Sequence, residues 1–104
     1  MDNIFKLAAP LPNSELFESL LSTEKVLIER IISTGQTTPP GEWYDQETDE
    51  WVILLQGEAE LSYKDGERIF LRAGDYLMIL AHVKHRVEYT SDDPPCIWLA
   101  VHIK

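Results

Sequence analysis

The chain has 104 residues, of which 44% are hydrophobic and 26% are charged, and this composition predicts one globular domain with its own core. Eighteen acidic residues against nine basic ones give a formal net charge of −9, so most of the surface would repel phosphate backbones and anionic lipid headgroups. We therefore expect neither nucleic acid nor a membrane among its partners.

The beginning of the chain predicts a short helix. In "NSELFESLL", residues 13–21, Asn13 or Ser14 can cap a helix, and four apolar side chains form a stripe, namely Leu16, Phe17, Leu20 and Leu21. The first residues, "MDNIFKLAAPLP", lack the basic and apolar regions of a secretory signal, and no apolar run is long enough to span a membrane. The single Cys96 has no thiol to pair with, which agrees with a reducing compartment. We predict a cytoplasmic protein.

After residue 23 the chain changes to β-branched and aromatic runs separated by turn residues. The predicted strands are "KVLIERIIS", "EWVILLQ", "EAELSYK", "ERIFLR", "DYLMIL", "HRVEYT" and "CIWLAVHI". The Asp65-Gly66 pair predicts a tight hairpin between "AELSY" and "ERIFL", and the unbroken apolar run of "WVILLQ" predicts a strand covered on both faces.

This pattern predicts an all-β fold, a small antiparallel β-barrel or jelly roll with a short N-terminal helix. We divide the chain into an extension with the helix, residues 1–23, and a β-barrel, residues 24–104, as one domain overall. Edge strands left unpaired favour a homodimer.

Two half-motifs in the second part of the chain make it resemble a small single-domain member of the cupin superfamily, with an RmlC-like jelly roll of the cupin 2 type. In the first cupin motif, His-x-His precedes a glutamate that is followed after six residues by a glycine. Here Glu50 and Gly57 have that spacing, and Tyr44 and Gln46 stand where the histidines would be. The resemblance spans roughly residues 34–102.

The second cupin motif is matched by "GDYLMILAHVKHRVEY". Gly74 and His85 stand in the positions of the motif glycine and histidine, while Leu80, His82 and Tyr89 replace its proline, glycine and asparagine. Cupins commonly hold a divalent metal with three histidines and one glutamate. The resemblance therefore implies a site made of Tyr44, Gln46, Glu50 and His85, in which two imidazoles are exchanged for weaker ligands.

The metal-binding interpretation and a simpler one stay open at each position. Glu50, Gln46, His85 and His82 would approximate a two-histidine, one-carboxylate site for Zn, Fe, Mn, Ni or Cu, with Tyr44 as an acid or as a hydrogen-bond partner of the substrate. In the simpler interpretation, His85 is a barrel-lining histidine hydrogen-bonded to Tyr44 or Glu50, and His82 is a loop residue tolerated at positive φ where the motif has glycine.

Two neighbouring features also have alternative interpretations. Asp45, Glu47 and Asp49 are read as a solvated loop, with a hard-cation site as the alternative. An inward Glu50 would need a metal, His85 or Arg86 as counter-charge, whereas a Glu50 that ends the loop facing water would need none. The face on which His102 lies is undetermined by the sequence.

Two hypotheses of function follow from the resemblance. In the first, a divalent metal and a small polar metabolite bind in the barrel, and the protein is a metal-dependent enzyme such as an isomerase, decarboxylase or dioxygenase. In the second, the barrel is a metal-free binding module that accepts a sugar, small acid or amide through Tyr44, Gln46, Glu50 and His85.

Overall fold

The computed structural model describes all residues, 1–104, and contains eight strands and no helix. The strands are β1 (Leu16–Ser22), β2 (Val26–Ser33), β3 (Asp49–Gln56), β4 (Glu58–Tyr63), β5 (Arg68–Arg72), β6 (Tyr76–Ile79), β7 (His85–Thr90) and β8 (Cys96–Ile103). The molecule has no helix that is long and apolar enough to cross a lipid bilayer.

All pairings are antiparallel, and the strands form two sheets with the orders β1-β2-β8-β3-β6 and β5-β4-β7. The sheets enclose one apolar core, to which both contribute: Val52, Leu54, Ala59, Leu61, Leu71, Ile79, Cys96, Trp98 and Ala100. The predicted all-β jelly roll is confirmed. The two sheets are not joined by hydrogen bonds into a closed barrel, so in that detail the molecule is a two-sheet sandwich.

The predicted N-terminal helix is wrong. Residues 16–22 form strand β1, which pairs with β2 from Leu16 opposite Ile32 to Ser22 opposite Leu27, with a bulge between Ser19 and Leu21. A helix of nine residues is marginal by itself, whereas the edge of the five-stranded sheet offers a ladder of hydrogen bonds. Glu18 also accepts a hydrogen bond from Arg30 Nε at 2.7 Å across this pair, which helps to fix the strand.

The hairpin is as predicted, whereas the central strand is fully buried on one face only and half-buried on the other. β4 pairs with β5 around a turn in which Gly66 has φ +102° and Asp65 Oδ1 accepts a hydrogen bond from the Glu67 amide at 2.9 Å. Strand β3 lies between β8 and β6, and its residues alternate between buried and half-buried. This alternation carries every second side chain of β3 toward the space between the sheets.

Candidate functional site

A cavity of about 90 Å³ lies between the sheets, and alternation along the strands determines which residues line it. Strands β2, β3, β7 and β8 each present residues two or four positions apart. The lining is Glu15, Phe17, Glu29, Ile31, Tyr44, Gln46, Glu50, Val52, Leu61, Ile79, His85, Val87, Trp98 and His102. Four of the five predicted site residues are therefore brought together, namely Tyr44, Gln46, Glu50 and His85.

Tyr44 and His85 are held against each other by their backbones as well as their rings. The Tyr44 amide donates to the His85 carbonyl at 2.7 Å, and the His85 amide donates to the Tyr44 carbonyl at 3.1 Å. The two rings are stacked, with centroids 5.6 Å apart and planes 26° apart. This isolated bridge fastens the loop before β3 to the first residue of β7.

The hydrogen bond of His85 defines its tautomer when the ring is neutral. Its Nδ1 lies 2.9 Å from the Val83 carbonyl, which can only accept, so Nδ1 carries the proton. The other ring nitrogen, Nε2, has no protein partner and is an acceptor. His85 is only 5% exposed, so this acceptor is reserved for whatever occupies the cavity.

Tyr44 stays a phenol well above neutral pH. Burial raises its pKa above the usual 10.0, and the carboxylates of Glu15, Glu42 and Glu50 raise it further because they repel a phenolate. The hydroxyl is therefore a hydrogen-bond donor and acceptor.

Two acceptor side chains that line the cavity, one on the loop and one on β3, have no donor in the protein. Glu50 is only 6% exposed and makes no hydrogen bond or ion pair. The counter-charge considered for it, Arg86, instead pairs with Glu88 at 3.3 Å and donates to the Thr38 carbonyl at 3.0 Å. Gln46 Oε1 is also buried without a partner. Because buried polar atoms are nearly always paired, these two acceptors favour a ligand that donates hydrogen bonds.

The opposite wall holds polar residues that were not assigned to the site from the sequence. His102 Nε2 lies 2.8 Å from Glu29 Oε1, and both side chains face the cavity. The face of His102, undetermined from sequence, is thus the inner one. Glu29 was missed because only the pairing of β2 with β8 shows that it points inward while its neighbour Arg30 points outward to Glu18.

A short chain of hydrogen bonds fixes the floor of the cavity. Ser33 Oγ, which is fully buried, donates to Glu15 Oε2 at 2.6 Å and accepts from Trp98 Nε1 at 3.2 Å. The indole of Trp98 is consequently held in one orientation as part of the apolar wall. The sequence contains no local signal for this link because its three residues come from separate segments.

His82 does not join the other predicted site residues. Its side chain is 66% exposed and its Nδ1 lies 2.9 Å from Asp45 Oδ1 at the surface. Its φ of 65° agrees with the interpretation as a loop residue in a glycine position, and its amide donates to the Gln46 carbonyl at 2.8 Å. His82 therefore shapes the loop that carries Gln46.

The acid-rich loop is only partly the solvated segment expected from sequence. Asp45 and Glu47 are exposed, whereas Asp49 is half-buried and its Oδ1 accepts a hydrogen bond from the Ala81 amide at 2.8 Å. Asp49 thereby ties the start of β3 to the loop before β7.

The side chains do not match the donor set that the resemblance implied for a metal. No three His, Cys, Asp or Glu side chains are grouped closely enough to hold an ion. Among the four motif positions, one imidazole and one carboxylate remain, and the raised pKa of Tyr44 opposes its use as a phenolate ligand. Three histidines and one glutamate are thus not available here.

Comparison with known families gives a match over residues 30–102 to the family described as "Cupin domain". No curated protein matches the chain.

Several solved structures resemble most or all of the molecule. A protein of Ralstonia eutropha JMP134, provisionally named a mannose-6-phosphate isomerase, is 41% identical, with 100% of this chain and 97% of that chain covered and a TM-score of 0.90. A cupin superfamily protein of Desulfitobacterium hafniense DCB-2 is 24% identical, with 88% and 78% covered and a TM-score of 0.73. An RmlC-like cupin family protein of Methanocaldococcus jannaschii is 20% identical, with 99% and 91% covered and a TM-score of 0.73. The last two likenesses concern the fold.

Proposed function

We propose that this chain, which belongs to the cupin family, binds a small polar molecule in its cavity. The molecule would contact side chains directly, without a divalent metal between them. Two observations carry this proposal: Gln46 Oε1 is buried without a donor, and Glu50, which is 6% exposed and lines the same cavity, has no hydrogen bond or ion pair in the protein. Leaving a buried acceptor such as Gln46 Oε1 unpaired costs about 1–3 kcal/mol, a cost that a ligand with a donor removes.

The remaining lining supports a ligand that is polar on one side. Tyr44 supplies a hydroxyl, His85 supplies an acceptor nitrogen, and Trp98 with several aliphatic side chains supplies an apolar wall. Apolar walls with a few convergent polar groups are typical of small-molecule sites.

The name of the Ralstonia relative suggests a phosphorylated sugar, and the charges of this cavity oppose that ligand. Phosphate groups are usually held by Arg, Lys or clusters of backbone amides. The lining here contains three glutamates and neither Arg nor Lys. A dianionic ligand would lie next to the carboxylate of Glu50, which has no counter-charge in the protein, so this cavity is poorly suited to a phosphorylated sugar.

A metal-dependent function is the second candidate, and one observation favours it. Glu50 and His85 keep the glutamate and histidine of the two cupin motifs and line the same cavity. In this version, the ion would be Zn, Fe, Mn, Ni or Cu.

Binding in the presence of a chelator separates the two candidates. Protein treated with EDTA is screened by thermal shift against small polyols, amines, amides and acids, and separately against the five metals without EDTA. We expect at least one organic compound to stabilise the chelated protein, by about 2.7 kcal/mol at a hundredfold excess over its Kd. Stabilisation by a metal but by no compound in EDTA would refute the proposal.

Two adjacent variants serve as a matched pair in this screen. Gln46→Ala removes an inward acceptor, and Glu47→Ala changes the next side chain, which is exposed. The first should weaken the response to the compound and the second should leave it unchanged.

We also propose a homodimer and a cytoplasmic location. Edge strand β1 exposes Phe17, Leu20 and Leu21, which supports pairing with a second copy, and light scattering tests it. The thiol of Cys96 is free and fully buried, which supports a reducing compartment.

A further inference from the structure

The cavity carries more negative than positive groups. Three carboxylates line it, and the side chains that could offset them are two histidines. Glu29 is partnered by His102 at 2.8 Å, and Glu15 accepts from Ser33 at 2.6 Å. Glu50, at 6% exposure, is partnered by nothing. A buried carboxylate without a counter-charge is costly, and a positively charged ligand removes that cost.

We infer that the cavity selects a small primary ammonium compound, an inference that rests on the proposed function and names its ligand class. A primary ammonium group has three N–H donors and a full positive charge. It can satisfy Glu50 with a charge-assisted hydrogen bond and Gln46 Oε1 with a second donor. A neutral polyol supplies donors but leaves the charge of Glu50 uncompensated.

The walls favour an ammonium group that carries a short apolar chain. Trp98, which is 5% exposed, and Tyr44 present aromatic surfaces to the cavity, and such surfaces attract cations through their π-electrons. Ile31, Val52 and Val87 add aliphatic contacts. The volume of about 90 Å³ limits the ligand to a small molecule, such as an ammonium group with two or three carbons.

The same features discriminate against other classes of ligand. A quaternary ammonium has no N–H group, so it would leave Gln46 Oε1 unpaired although it could use the aromatic walls. A carboxylate or phosphate would place like charges next to Glu50. We therefore expect the order propylammonium, then tetramethylammonium or 1-propanol, with propionate not bound.

An NMR titration of the protein in EDTA tests the order directly. Propylammonium chloride is added to ¹⁵N-labelled protein, and the backbone amides of the cavity strands and the Trp98 indole N–H signal are followed. The two variants are Glu50→Gln and Glu47→Gln, which each change the formal net charge from −9 by one unit to −8. Glu47 is exposed in the loop, so the pair separates a charge in the cavity from a charge on the surface.

We expect saturable shifts with propylammonium, at least tenfold weaker binding in Glu50→Gln, and unchanged binding in Glu47→Gln. Equal weakening in both variants, or binding of 1-propanol as tight as that of propylammonium, would overturn the inference. The comparison of the ligands on the unaltered protein tests the inference even if a variant does not fold. A neutral compound that binds in EDTA where propylammonium does not overturns only this inference, whereas binding of metals alone overturns the proposed function too.

Discussion

Gly57, the motif glycine between β3 and β4, connects the two sheets, and its replacement by alanine should be severely destabilising. Its φ of +90° belongs to a region that alanine adopts at a cost of about 1–2 kcal/mol. An added Cβ would lie 2.7 Å from Ser91 Oγ, 2.9 Å from Cys96 Sγ and 3.0 Å from Cys96 Cα.

These neighbours have little freedom to move away. Ser91 Oγ accepts from the Glu58 amide at 3.0 Å and donates to the Pro94 carbonyl at 2.9 Å, while Cys96 is fully buried. Overpacking of this kind costs about 1–3 kcal/mol, so with the backbone term the total for Gly57→Ala is about 2–5 kcal/mol. Since 1 kcal/mol corresponds to about 4–8 °C for a domain of this size, Tm should fall by about 8–40 °C.

Gly66→Ala is the matched control because it isolates the backbone contribution. Gly66 also has a positive φ, +102°, but an added Cβ would meet nothing within 4 Å. We expect a loss of about 1–2 kcal/mol for this variant. Urea and thermal denaturation followed by tryptophan fluorescence measure both. Equal destabilisation of the two variants, within about 0.5 kcal/mol, would refute the steric argument for Gly57.

Three further predictions concern the cavity and its rim. Because an unfolded tyrosine loses its proton near pH 10.0 and the folded Tyr44 has a raised pKa, the free energy of unfolding should fall as pH rises above about 10, and less steeply in Tyr44→Phe. Urea denaturation between about pH 9 and about pH 11 measures this fall, and equal slopes for the two proteins would contradict the prediction. Ser33→Ala should lower the free energy of unfolding, measured with urea, by about 1–3 kcal/mol, because the Trp98 indole N–H loses its acceptor. The NMR signal of that N–H should also shift, and an unmoved signal would contradict the hydrogen bond between Trp98 and Ser33. His82→Gly should change the free energy of unfolding by less than about 0.5 kcal/mol or raise it, since glycine adopts the φ of 65° freely. Weakened binding of propylammonium by this variant would contradict the placement of His82 outside the cavity.

Motif spacing and strand alternation together explain why part of the candidate site could be predicted from the sequence. The resemblance implied Tyr44, Gln46, Glu50 and His85, and all four line one cavity. Glu50 and His85 lie in strands, where side chains alternate between the two faces, whereas Tyr44 and Gln46 lie in the loop before β3 and were identified by their spacing from Glu50.

Contacts between distant segments explain what the sequence could not predict. Residues 16–22 have an apolar spacing that suits a helix, but pairing with β2 decides their conformation. Glu29 and Arg30 are adjacent, and only the register with β8 shows that the acidic one faces the cavity beside His102. The same holds for Glu15, whose position near Tyr44 depends on its bond to Ser33.

Metal content is the most direct test of direct, metal-free recognition in the cavity. Protein purified without chelator is analysed for Zn, Fe, Mn, Ni and Cu by mass spectrometry, alongside Glu50→Gln and His85→Ala. We predict far less than one metal ion per chain in the unaltered protein and no difference between it and the two variants. One equivalent of a metal in the unaltered protein that is lost in both variants would contradict the account.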